Sequence, residues 1–169
     1  MGNWIDLATI IMLALAVIIE TKRGFGRAVF DLAAALVAVR IAYMVADPLS
    51  ASIKVSANPA TNQTIAFVAP FIVLSALLWF LGKLVYEATL ISAEIFDPLL
   101  GGICGILIGI TIDHVFVRTI VFAAGTKELP SLITDSALGR EFLYFDTYHR
   151  IVQALYNFHR PDSAVVPEK

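Results

Sequence analysis

Four long apolar runs divide the chain, separated by short polar stretches, and a fifth segment alternates apolar and polar positions at helical spacing. The first run extends from Trp4 to Ile19 with Asp6 inside it. The second, Ala28 to Ala46, ends at Asp47-Pro48 and carries Asp31 and Arg40. The third is Ile65 to Val85, with Pro70 near its start and Gly82, Lys83 and Tyr86 at its far end. The fourth starts at Leu99 and is uninterrupted to Ile112, where Asp113-His114 intervene before Val115 to Ala124. About 20 apolar residues are needed to span a bilayer as a helix. The fourth span therefore continues to about residue 122, with Asp113 and His114 held inside the bundle or facing water. The pattern predicts an all-α polytopic membrane protein with transmembrane helices over about 4–20, 28–46, 65–86 and 99–122, forming one domain over 1–124. Residues 125–160 form a helical tail. Asp135 or Ser136 is placed to cap an amphipathic helix from Ala137 to Phe158. Tyr144, Tyr148, Ile151, Leu155 and Phe158 share one face of it, and Asp146, Arg150, Gln153 and Asn157 share another. Such a helix lies on the membrane surface or against the bundle. Pro161 stops it, and 161–169 reads as a disordered end.

Composition agrees with that class. Of 169 residues, 59% are hydrophobic and 15% charged, and the mean hydropathy is +0.81. Ordinary globular domains carry about 25% charged residues. A net charge of −2 leaves no electrostatic footprint for nucleic acid. A single cysteine, Cys104, rules out an internal disulfide and reads as a small packing residue inside an apolar run. No Lys or Arg precedes the first run, which sets it apart from a secretory leader and favours a retained helix.

Charge is concentrated between the first two runs. Glu20-Thr21-Lys22-Arg23-Gly24-Phe25-Gly26-Arg27 holds three cations within six residues. Cations at span ends mark the cytoplasmic side, which sets this turn in the cytoplasm and both termini in the periplasm. Lys127 and Arg140, after the fourth span, are the competing charges.

Inside the membrane, Arg40, Asp113 and His114 are the costly residues, because intramembrane charges face the bundle interior, pair, or mark a pathway. Counted from the cytoplasmic ends, Arg40 and Asp113 lie within about 3 Å of the same depth. A contact of Arg40 with Asp113 or Asp6 is expected, against outward snorkelling of Arg40. Asp113-His114 reads as a structural polar contact ahead of a proton relay. Ala34, Ala38, Ala42 and Ala46 recur every four residues, and so do Gly101, Gly105 and Gly109. Both rows expose backbone along one helix face for close approach of a neighbour. For the glycine row an internal helix pair is favoured over an oligomer seam. Arg27 and Asp31 are spaced for a local ion pair. No zinc-protease, P-loop, nucleophile-elbow or dinucleotide motif occurs, and His149 and His159 do not share a metal-binding face. Neither a catalytic set, a metal site nor a cofactor is expected. The expected partners are the lipid bilayer, other membrane proteins or a second copy.

Asn3-Trp4-Ile5-Asp6, some fifteen apolar residues, and then Arg23-Gly24-Phe25 with Arg27 resemble the opening of the CvpA family, the colicin V production proteins. Asp97, Gly101, Gly105 and Gly109 match that family's pattern at its fourth span. Pro98 and Ile108 stand where the family usually has arginines. The resemblance implies a polytopic bacterial inner-membrane protein without carried-over catalytic residues. It implies structural or interaction roles for Asp6, Arg23, Gly24, Phe25, Arg27, Asp97, Gly101, Gly105 and Gly109. The expected function is non-enzymatic support of toxin production or export, or of envelope homeostasis. The alternative is a small channel or transporter component with a polar path around Arg40 and Asp113.

Overall fold

The computed structural model describes residues 4–89, 94–125 and 129–159. The 161–169 end lies outside the described residues. Helices α1 (Trp4–Arg23), α2 (Phe25–Ser52), α3 (Pro59–Thr89) and α4 (Asp97–Ala124) are each long and apolar enough to cross a membrane. A single 3-10 turn, Glu94–Phe96, leads into α4, and α5 (Ser131–Thr134), α6 (Ala137–Tyr144) and α7 (Asp146–His159) follow. Among the described residues there is no strand.

The polar stretches are shorter than the hydropathy pattern suggests. Glu20 to Arg27 is not a loop: α1 continues through Arg23, α2 starts at Phe25, and only Gly24 leaves the helix, at φ 81°. A positive φ suits glycine because it has no Cβ. The charged residues on either side stay helical because they pair with one another, as described below. Similarly, α2 runs past Asp47-Pro48 to Ser52, although Pro48 has no N–H to donate to the carbonyl four residues before it. Ser50 and Ser52 hydroxyls donate to the Asp47 and Pro48 carbonyls there. The loop shrinks to 53–58. Asn62 organises it, accepting from the Ser56 N–H at 2.8 Å and donating to the Ser56 carbonyl at 2.8 Å. Asn58 accepts from the Ala60 N–H at 2.9 Å, and Pro59 opens α3. A short polar residue followed by proline is a common helix start.

Two tight seams build the bundle. The first joins α1 to α4. A Cβ placed on Gly101 would lie 2.5 Å from the Glu20 carbonyl oxygen, one on Gly105 2.8 Å from Val17 Cα, and one on Gly109 2.6 Å from Leu13 Cδ1. The glycine row therefore meets the α1 backbone within the same chain. The second seam joins α2 to α3 and α4. Ala34, Ala38, Ala42 and Ala46 are all buried in it, and Phe67 and Val115 fill the space beside Ala42 and Ala46. Helices α1 and α3 each pack on α2 and α4 rather than closely on each other, and a cavity of about 490 Å3 lined by all four opens between them.

Helix α1 is short. Its 20 residues reach about 30 Å, while the 28 of α4 reach about 42 Å. The chain after α4 folds back to fill the missing length. Ile5 at the start of α1 packs with Val117, Ile133, Phe142 and Leu143. Trp4 meets Phe116 edge-on, with ring centroids 6.2 Å apart. The tail is not one helix over Ala137 to Phe158. Ser136 caps α6 by accepting from the Gly139 N–H at 2.7 Å. Phe145 then turns left-handed at φ 54° and ends it. The Glu141 carboxylate accepts from the Thr147 N–H and hydroxyl, which starts α7 in a new direction. Ile151 and Val152 of α7 are exposed.

Candidate functional site

The polar side chains form two groups, one at each end of the bundle. At the Gly24 end, α1 supplies Glu20 and Arg23, α2 supplies Arg27 and Asp31, and α3 supplies Trp79. Arg23 Nη1 donates to Glu20 Oε1 at 2.9 Å and to Asp31 Oδ2 at 2.8 Å, bridging α1 and α2 across the turn. Arg27 Nε donates to Asp31 Oδ2 at 3.3 Å, and Arg27 Nη2 donates to the Trp79 carbonyl at 3.1 Å. The Arg27 guanidinium also lies 5.0 Å from the Trp79 ring centroid, and Arg23 lies 5.9 Å from it. Planar guanidinium groups suit both tasks, fixed hydrogen bonding and stacking on an aromatic face. The side chains of Glu20, Arg27 and Asp31 are 5, 8 and 6% exposed, whereas Arg23 is 37% exposed. Two acids are thus buried beneath an arginine that reaches the surface.

This group adjoins the cavity between α1 and α3. The cavity wall is apolar except for Glu20, Arg23, Asp31 and Ser75. Among the described residues, Glu20 Oε2 and Ser75 Oγ are buried atoms without a hydrogen-bond partner. Asp31 Oδ1 lies 3.1 Å from Arg27 Nε yet accepts no hydrogen bond. A second, smaller depression of about 260 Å3 lies outside Arg23 and Trp79 and is lined by Arg27, Lys83, Tyr86 and Glu87.

The sequence pointed to Arg23, Gly24, Phe25 and Arg27. The structure sets Gly24 at the hinge and the two arginines in the network, while Phe25 begins α2 and is half-buried. Asp97 lies against Gly24: a Cβ on Gly24 would be 3.4 Å from the Asp97 carboxyl carbon. Gly101 follows one turn later on the α1 seam. Glu20, Trp79 and Ser75 were not singled out by sequence. An acid closing an apolar run beside cations was the available signal for Glu20. Trp79 and Ser75 carried none, since one aromatic and one serine in an apolar helix are ordinary.

At the opposite end, Asp6 accepts from the Ser136 hydroxyl at 2.6 Å and from the Leu138 N–H at 2.9 Å. It thereby ties the start of α6 to the start of α1. His114 spans two elements: its Nε2 is 2.7 Å from the Tyr43 hydroxyl of α2, and its Nδ1 is 2.6 Å from the Phe142 carbonyl of α6. The Phe145 ring stacks on it, with centroids 5.2 Å apart. Arg118 sits over the Tyr43 and Phe122 rings at 5.8 and 5.1 Å.

The expected contact of Arg40 with Asp113 or Asp6 is not formed. Arg40 lies on the exposed face of α2 beside exposed Val37 and Met44. Asp6 is occupied by α6, and Asp113 is fully buried with neither oxygen hydrogen-bonded among the described residues. Residue counting compares depth along a helix but carries no rotation about it. Ala38 and Ala42 face the bundle, which turns Arg40 outward at about 100° per residue. Asp113 continues the glycine row: Gly101 opposes Glu20, Gly105 opposes Val17 and Gly109 opposes Leu13, so Asp113 falls at the level of Thr9.

Comparison with known proteins adds one finding. A family model described as "Colicin V production protein" matches residues 5–145. The match begins at the buried Ile5 and stops at Phe145, where α6 ends, so it includes both polar groups and leaves α7 outside. No curated protein and no solved structure matches the chain.

Proposed function

Because the chain belongs to the colicin V production family, we propose that this multi-pass membrane protein is a non-enzymatic component of the bacterial inner membrane. It supports toxin production or export, or envelope homeostasis, by acting on membrane partners. The observation that carries this reading is the family match over both polar groups, whose arginines, acids and histidine tie helices of the chain to one another. The exposed faces are left to lipid and partners, with Arg40 on one of them. The cations Lys22, Arg23 and Arg27 set the Gly24 end in the cytoplasm and both termini in the periplasm. The test is complementation. In a colicin V-producing strain lacking its own family member, the chain restores the zone of killing; normal membrane levels with no restored zone contradict the role. A reporter fused at the C-terminus is active only in the periplasm, and cytoplasmic activity contradicts the orientation.

A small channel or transporter component is the second reading. The cavity reaching buried carboxylates favours it. The polar path is then the one at Glu20 and Asp31, since Arg40 and Asp113 do not meet. Ion flux in proteoliposomes that is lost in Glu20→Gln supports this reading, and absence of flux returns the decision to the first.

A further inference from the structure

We propose that the cavity between α1 and α3 binds a compact apolar molecule carrying a protonated amine, and that Arg23 occupies the place of that amine when the cavity is empty. Three features point there together. The cavity is lined by all four long helices and is apolar apart from one corner. That corner holds Glu20, 4% exposed, with one carboxylate oxygen that has no hydrogen-bond partner among the described residues, and Ser75, whose hydroxyl likewise has none. Buried acceptors left unsatisfied are unfavourable and call for a donor. An aliphatic or aromatic body with an ammonium head satisfies both the wall and the corner.

Arg23 explains how charge stays balanced. It lines both the inner cavity and the outer depression. One of its nitrogens, Nη1, bridges Glu20 and Asp31, and its side chain is 37% exposed. An incoming ammonium replaces that bridge while the guanidinium swings outward over Trp79. Glu20 and Asp31 then face one ligand cation and Arg27, so the pocket keeps two negative and two positive charges. A bare metal cation would leave most of the 490 Å3 apolar space unfilled.

Arg23 and the ligand therefore compete, and this gives opposite signs to two substitutions. Trp79 borders the cavity and serves as the reporter in a Trp4→Phe background, which leaves it the one tryptophan of the two in the chain. The purified protein in detergent is titrated with 2-phenylethylammonium, with 2-phenylethanol and sodium chloride as controls. The fluorescence change is expected to saturate with the amine alone. Arg23→Gln is expected to tighten binding about tenfold and Glu20→Gln to weaken it by at least that factor. Ser75→Ala, which removes only one hydroxyl from the wall, weakens binding as well and serves where Glu20→Gln does not fold. Unchanged or weaker binding by Arg23→Gln overturns the proposal, as does full affinity in Glu20→Gln and Ser75→Ala. An equal saturable response to phenylethanol or sodium also overturns it.

Discussion

Asp113 and His114 are neighbours in sequence with opposite circumstances. His114 has both ring nitrogens in hydrogen bonds and a phenyl ring stacked on it. Asp113 is fully buried, and neither of its oxygens is hydrogen-bonded among the described residues. A buried polar group without partners is destabilising by about 1–3 kcal/mol. Asp113→Asn keeps the shape and removes the charge, so it is expected to raise the midpoint of thermal unfolding in detergent; a clear fall would show that the carboxylate is held by something. His114→Ala should lower the midpoint, because it leaves the Tyr43 hydroxyl without its partner across the α2–α4 seam. Sequence identified these polar positions because charge in an apolar run is conspicuous. It misassigned the partner of Arg40 because residue count gives depth along a helix while its facing depends on which small residues pack inward. The row Ala34, Ala38, Ala42 held that information: a residue two positions from Ala38 points away from the seam.

At the scale of elements, the small-residue rows were legible because their period matches the helix and packing needs little else. Gly101, Gly105 and Gly109 place backbone against backbone on α1. Gly102, one step round the helix, would set a Cβ 3.0 Å from the movable Thr21 hydroxyl. Gly101→Ala and Gly105→Ala are therefore expected to destabilise by about 1–3 kcal/mol through overpacking, whereas Gly102→Ala changes stability little. Unfolding by denaturing detergent compares the three, and equal effects would place the seam elsewhere. The ends of elements were less legible. Hydropathy fell at Glu20 and Asp47, yet α1 and α2 continue, because side chains paired within the fold remain helical whatever their polarity. The break at Phe145 gave no signal, since it is fixed by the His114 ring beneath it and by Glu141 capping the next helix. The docking of α6 depends on Asp6. Asp6→Ala removes two hydrogen bonds, one to a backbone donor at a helix start, and such caps contribute about 1 kcal/mol. Trypsin cleavage at Arg140 should accelerate in that variant; an unchanged rate means that α6 is held by Ile5 and Phe142 alone.

The whole molecule is two helix pairs, α1–α4 and α2–α3, joined through the α2–α4 contact, with a cavity between α1 and α3. The Gly24 end is where this open arrangement is tied. Arg23 links α1 to α2, and Arg27 links α2 to the α3 backbone. The cluster that hydropathy marks as a cytoplasmic loop is thus a knot across three helices, with Glu20, Arg27 and Asp31 buried beneath the exposed Arg23, and the cavity lies directly beside it. Breaking one side of a buried pair is destabilising by about 3–5 kcal/mol, much of it from the charge left alone. The most direct measurement is a double-mutant cycle on Arg23 of α1 and Asp31 of α2, 2.8 Å apart, read as unfolding free energy in detergent. Arg23→Ala and Asp31→Ala are each expected to destabilise, and the double variant is expected to lose much less than their sum. Losses that simply add would contradict the account, since they would make these residues independent surface charges.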